Sequence, residues 1–178
     1  MPLSLEEVHD RARRVRLLLL DVDGVLTDGT LGIHSDGTES KSFFIRDGLG
    51  IVWARQEGIE VGLLSGRPSA VTTRRAAELR LEIVVQDGTD KAAGFDKILA
   101  AHPYAEDEVA YMGDDLLDLP VLRRVGLATA PADATAEVQV AAHWISRHAG
   151  GRGAVRELIE LLLTAQGRWA GLQRAYLA

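Results

Sequence analysis

Val15-Arg16-Leu17-Leu18-Leu19-Leu20-Asp21-Val22-Asp23-Gly24-Val25-Leu26-Thr27-Asp28-Gly29 changes character at a single residue. Over residues 15–20 the chain is apolar but for Arg16 and does not alternate, the pattern of a strand buried on both faces of a parallel sheet. At Asp21 it turns into carboxylates and turn-forming residues. Ligands of an open parallel sheet bind outside the carboxyl ends of its strands. This boundary therefore predicts both a fold and the place of its chemistry.

Working outward, the pattern repeats. Apolar runs at residues 59–64, 81–85, 109–112 and 127–129, with a weaker one at 142–145, predict further strands. Helical stretches separate them. Asp47 is expected to cap a helix ending at Gly58, Pro68 to be the first residue of one reaching about Arg80, and Asp90 to cap one that stops before Pro103. Ser4-Leu5-Glu6-Glu7 reads as a capping box opening a short helix towards Arg14. Strand and helix in alternation predict an α/β fold, a doubly wound (Rossmann-like) parallel sheet flanked by helices.

Residues 30–45 break the alternation. Asp36-Gly37 between Leu31/Ile33 and Phe43/Ile45 predicts a β-hairpin projecting after the first strand. Gly150-Gly151-Arg152-Gly153 opens the last predicted helix, residues 153–166, and reads as an entry turn rather than an anion cradle. In the tail, residues 168–178, Trp169, Leu172 and Tyr176 share a helical face that packs on its own core or docks on another subunit. With no Pro/Ser-rich linker, internal repeat or low-complexity tract, residues 1–178 read as a single domain.

Composition narrows the chemistry. The 26 acidic and 20 basic groups leave a net charge of −6, which argues against nonspecific nucleic-acid binding, a property that needs a basic face. There is no cysteine, which excludes disulfides, thiolate metal sites and a Cys nucleophile; the five histidines are scattered, His143 and His148 being the nearest pair. Any metal chemistry must use oxygen ligands. The apolar run 17–20 behind Arg11, Arg13, Arg14 and Arg16 is too short for a membrane span or a signal-peptide core, so a cytoplasmic protein without a membrane partner is expected.

The charged turns then need one another. Asp21 and Asp23 follow the first strand, Ser65-Gly66-Arg67 the second, Gln86-Asp87-Gly88-Thr89-Asp90-Lys91 the third, and Gly113-Asp114-Asp115-Leu116-Leu117-Asp118 the fourth. Gathering Asp21, Asp23, Asp114 and Asp115 at one end of a sheet is costly unless a cation holds them. Mg²⁺ suits them, being a hard ion that takes one or two carboxylates and is completed by a phosphate. Ser65 with the amides of Gly66 and Arg67 forms an anion site, and Lys91 adds a positive charge. Together they predict phosphoryl transfer, with Asp21 as nucleophile and Asp23 as general acid and base. Two other motifs fail: Asp21–Gly29 lacks the glycine and final glutamate of an EF-hand loop, and Gly48-Leu49-Gly50 lacks the third glycine of a dinucleotide fingerprint.

These residues resemble the haloacid dehalogenase superfamily of aspartate-nucleophile phosphatases. With Arg46-Asp47-Gly48 and Ala149-Gly150-Gly151-Arg152-Gly153-Ala154-Val155-Arg156-Glu157 added, the chain is similar over residues 15–167 to the 3-deoxy-D-manno-octulosonate 8-phosphate (KDO 8-phosphate) phosphatase family. The resemblance implies Mg²⁺ held by Asp21, the Asp23 carbonyl and Asp114, with Ser65 and Lys91 on the phosphate and Asp115 and Asp118 in support. It also implies no cap domain and a homotetramer whose hairpins form a central barrel, with a tail that can reach a neighbouring site. The substrate implied is a small phosphosugar in lipopolysaccharide synthesis. Its carboxylate should meet an arginine, for which Arg46, Arg67 and Arg75 are the candidates. Relatives acting on nonulosonate 9-phosphates tend to carry Glu where Arg67 stands. A nine-carbon phosphosugar, and a non-catalytic phosphosugar-binding subunit, stay as alternatives.

Overall fold

The computed structural model describes residues 3–86 and 90–177. After a helix α1 (Leu5–Ala12), β1 (Leu17–Leu20) takes the centre of a six-stranded sheet with β4 (Glu60–Leu64), β5 (Ile83–Val85), β6 (Val109–Met112), β7 (Leu127–Ala130) and β8 (Trp144–Ile145). The order is β5-β4-β1-β6-β7-β8 and every pair is parallel. Each apolar run of the sequence is thus a strand. The remaining two, β2 (Gly32–Ile33) and β3 (Glu39–Ser40), form a separate antiparallel pair.

The lack of alternation in β1 has a direct cause. Leu18 and Leu20 enter one core with Val8, Ile51, Ala76 and Leu158, from α1, α2 (Ile45–Gln56), α3 (Ala70–Glu78) and α7 (Ala154–Ala165). Leu17 and Leu19 enter the other with Phe95, Val121 and Val138, from α4 (Lys91–Ala101), α5 (Leu119–Leu122) and α6 (Ala136–Ala141). Both faces are covered, so period two carries no polar residue. From β1 the chain builds outward to β4 and β5, then returns to β6 on the other side. The switch point of the sheet falls between β1 and β6, where the Asp21 amide donates to the Met112 carbonyl at 3.0 Å.

Three expectations are corrected. Asp47 does not cap its own helix. α2 starts two residues earlier, at Ile45, and the buried Asp47 carboxylate accepts from the Gly153 and Arg156 amides at 3.3 and 2.8 Å. It caps α7, across the fold, and its pKa is raised by burial against the pull of those amides. Pro68 is not the first helical residue. Ser69 is the N-cap of α3, accepting from the Thr72 amide, and Pro68 lies in the turn before it. The hairpin is shorter than its apolar flanks suggested. Its turn closes through His34 N–H to the Thr38 carbonyl at 2.9 Å, while Phe43 leaves the return arm to pack on the core beneath Arg75, and Ile45 already belongs to α2.

The tail forms α8 (Trp169–Leu177). Trp169 and Tyr176 pack on Trp53 of α2 with ring centroids 5.7 and 5.5 Å apart, so it lies on its own chain. Among the described residues no helix is long and apolar enough to cross a membrane.

Candidate active site

The parallel register delivers the loops after β1, β4 and β6 to one place. There Asp21, Asp23, Ser65, Gly66, Arg67, Lys91, Asp114, Asp115, Leu117 and Asp118 line a cavity of about 310 Å³. Asp87, Gly88 and Thr89, from the loop after β5, lie outside the described residues.

Asp21 continues β1 and is buried. One carboxylate oxygen accepts from the Val22 amide at 2.7 Å and the other faces the Lys91 ammonium at 2.7 Å. Lys91, the first residue of α4, is itself buried and also donates to Asp118. Burial, then the nearby Asp118, pushes the Asp21 carboxyl up to about 6 against the opposing pull of Lys91. For Lys91, burial works downward, and the two carboxylates outweigh it and raise its pKa.

Asp118 is wholly buried and its acceptor capacity is spoken for. One oxygen takes Lys91 and the Tyr111 hydroxyl, the other the Asp114 and Asp115 amides at 2.9 and 3.1 Å. It bends the loop after β6 into a short 3-10 turn, Leu116–Asp118, whose N-cap is Asp115, accepting from Leu116 N–H at 2.7 Å. Asp115 and Asp118 together shape the loop that presents Asp114.

Asp114 is the anomaly. Its Oδ1 is buried with no hydrogen-bond partner among the described residues. Burial, then the Asp21 and Asp118 charges, pushes its carboxyl up to about 8. Lys91 pulls the other way and is outweighed, so a carboxylate held this way calls for a further positive partner. Carboxylate oxygens of Asp21, Asp114 and Asp118 lie within 4.8 Å of one another, and Asp118 already has its donors. That leaves Asp21 and Asp114 facing a common point, an all-oxygen setting that fits Mg²⁺. Gly24 makes the approach possible. At φ +87° it adopts a backbone conformation that suits glycine, and a Cβ there would sit 2.0 Å from Asp114 Oδ2. Behind it the Gly150-Gly151 turn presses on the same loop, Gly151 N–H donating to the Val25 carbonyl at 2.8 Å. The same turn opens α7, whose N-cap is Gly153, as the entry-turn reading expected; its packing on the loop after β1 was not part of that reading.

Ser65 follows β4 directly and is buried, with its hydroxyl 3.4 Å from the Arg67 amide. Of the three arginines only Arg67 reaches this cavity, and there its guanidinium meets Glu39 of the hairpin at 2.6 Å. Arg46 lines a different groove, with Phe44, Leu49 and Arg152. Arg75 lies over Phe43, 3.3 Å from Glu78. Within the chain neither joins the site.

Two participants escaped the sequence reading. Tyr111, hidden in an apolar strand, aims its hydroxyl at Asp118, and burial raises its pKa far above the usual phenol value. Lys41, from the hairpin, salt-bridges Asp23 at 2.7 Å. The scarcity of lysines, three in the chain, was the one signal that could have singled it out.

Fold and site together define a haloacid dehalogenase-like hydrolase, and the sequence profile of that family matches residues 69–159. The chain belongs, within it, to the 3-deoxy-D-manno-octulosonate 8-phosphate phosphatase family. The phosphatase KdsC of Escherichia coli K12 is 44% identical over 162 residues, 91% of this chain and 86% of that protein. A crystal structure of a probable YrbI family phosphatase from Pseudomonas syringae superposes with a TM-score of 0.95 at 44% identity, covering 97% of this chain and 98% of that one. The Moraxella catarrhalis phosphatase, solved in complex with magnesium, phosphate and KDO, superposes with a TM-score of 0.94 at 34% identity, covering 96% and 98%.

Proposed function

We propose that the chain is an Mg²⁺-dependent phosphatase that hydrolyses KDO 8-phosphate to KDO and phosphate, through an aspartyl-phosphate on Asp21, in lipopolysaccharide biosynthesis. The observation that carries this reading is the pairing of a buried, lysine-bridged carboxylate, Asp21, with the buried Asp114 oxygen that has no hydrogen-bond partner among the described residues, at the switch point of the sheet. The family membership supports the phosphate ester, and the bound groups of the Moraxella relative support the metal and the sugar.

Asp21 and Asp114, with the Asp23 carbonyl, would hold the ion. When bound, Mg²⁺ supplies the positive charge that lets these carboxylates ionise together and neutralises the phosphoryl oxygens. The chain does the rest. β1 fixes Asp21 for attack on phosphorus, while Lys91 and Ser65 hold the transferred group. Asp23 gives a proton to the leaving alcohol and takes one from the attacking water. Arg67, on the rim beside Glu39, is the arginine of this chain that meets the sugar carboxylate.

On the same reading, one domain over residues 1–178 carries the activity, in the cytoplasm and as a homotetramer. The short hairpin strands and the 78% exposure of Ile33 support a neighbour on that edge. The test is phosphate release from KDO 8-phosphate, a nonulosonate 9-phosphate and a generic sugar phosphate, each with Mg²⁺ and with EDTA. The expected result is a strong Mg²⁺-dependent preference for KDO 8-phosphate. Equal, feeble release from all three would overturn the substrate assignment.

A further inference from the structure

The hairpin delivers a buried cation to the site. Lys41, immediately after β3, has a side chain with 0% exposure, whereas that of its partner Asp23 is 36% exposed. Its Nζ lies 2.7 Å from one oxygen of Asp23, 2.9 Å from the other, and 3.4 Å from Thr72 Oγ1 in α3. An ammonium has three N–H donors; two make hydrogen bonds here, to Asp23 Oδ2 and Thr72 Oγ1, and the approach to Asp23 Oδ1 is an ion pair. Lys41 is thereby held between Asp23 and α3. Among the described residues no other side chain bonds the Asp23 carboxylate. Each of its oxygens retains a free lone pair for proton exchange. The return arm that carries Lys41 is itself fixed, since Glu39 accepts from Arg67 and from the Ser69 hydroxyl.

We propose that Lys41 is a positioning residue for Asp23: by gripping both carboxylate oxygens it aims the group that exchanges protons with the leaving and attacking oxygens. This rests on the phosphatase reading above. In the first half-reaction an Asp21 oxygen bonds to phosphorus and the ester P–O bond breaks. The sugar oxygen keeps the electron pair and takes the proton of Asp23. In the second, the water oxygen bonds to phosphorus, its proton passes to Asp23, and the P–O bond to Asp21 breaks. Lys41 takes no part in either proton transfer. Burying a lysine is expensive unless it is paired and hydrogen-bonded, and Asp23 and Thr72 supply the partners.

The test compares two leaving groups in first-turnover kinetics with saturating Mg²⁺. A sugar alkoxide needs a proton as it departs, and p-nitrophenolate at neutral pH does not. In Lys41→Met, release of KDO from KDO 8-phosphate should slow by about 100-fold, the usual worth of a positioned general acid. The burst of p-nitrophenol from p-nitrophenyl phosphate should lose about tenfold less, KM should hold, and Lys41→Arg should restore part of the rate. Thr72→Val, which loosens Lys41 from the other side, should show the same contrast in weaker form if Lys41→Met does not fold. Equal losses on both esters would mean a merely structural lysine. A raised KM at unchanged kcat would make Lys41 a substrate ligand, and either result overturns the proposal. Wild-type protein that turns over neither ester overturns the phosphatase reading itself, a result separate from both.

Discussion

At the carboxyl ends of β1 and β6, Asp21, Asp114 and Asp118 bring carboxylate oxygens within 4.8 Å of one another, around a single buried lysine. Along α2, Trp53 instead gathers Trp169, Tyr176 and the Arg156 guanidinium, the last 4.0 Å from its ring centroid. The first cluster concentrates like charge in a low-dielectric setting, which destabilises the fold until a cation arrives. The second buries apolar surface and pairs a cation with a ring, which stabilises it. The difference teaches where function sits in this molecule: in the cluster the fold tolerates rather than the one it gains from.

Asp21→Asn tests that division most severely. Phosphate release should fall by on the order of 10⁴-fold or more, since a nucleophile acts as part of a unit. The melting temperature without cation should hold or rise, because one of the crowded charges is gone. Full turnover with saturating Mg²⁺ would end the covalent mechanism. Asp118→Asn sharpens the comparison from inside the charged cluster. Asp118 is the one carboxylate with four donors, so its loss should destabilise by about 3–5 kcal/mol. Calorimetry should find Tm lower by roughly 10 °C and activity lowered as well. A variant as stable as wild type would make Asp118 one more liability.

Cation removal reads the same cluster through pH. The Asp21 and Asp114 carboxyls lie at about 6 and about 8 in the folded chain, above the roughly 3.9 of an unfolded aspartate. The folded state therefore holds extra protons over that window. Without cation, the contribution of these two groups to stability should be fully present below about pH 4 and be lost as pH rises towards about 8. Mg²⁺ competes with those protons, so the gain in Tm over EDTA should be larger at pH 8 than at pH 6. An equal gain at both would mean the ion binds elsewhere. Trp169→Ala, the smallest effect, should cost about 1–2 kcal/mol and leave phosphate release unchanged. A loss of activity there would show that the tail serves a site after all.

Much of this was legible in the residues. The unalternating 15–20 run, the turns that follow each strand and the Asp21-Val22-Asp23-Gly24 stretch are local features, so β1, the sheet and the convergence of Asp21, Ser65, Lys91 and Asp114 could be read before any coordinates. Asp47 was misread because local spacing says that a carboxylate sits near a helix start, not which helix it caps; its partners lie at Gly153 and Arg156. Arg46 and Arg75 were named because the implied substrate carries a carboxylate; within the chain Arg46 lines another groove and Arg75 lies over Phe43.

The sequence by itself determined the strand order's raw material and the class of chemistry, because periodicity and turn residues act over a few positions and the parallel sheet brings successive loops to one end. Tertiary structure alone decided the pairings that cross the fold. Lys41 reaches Asp23 over 18 positions and Tyr111 turns its hydroxyl from inside an apolar strand. Asp114 Oδ1 is buried without a hydrogen-bond partner among the described residues. Such contacts depend on burial, and burial belongs to the assembled chain rather than to any stretch of it.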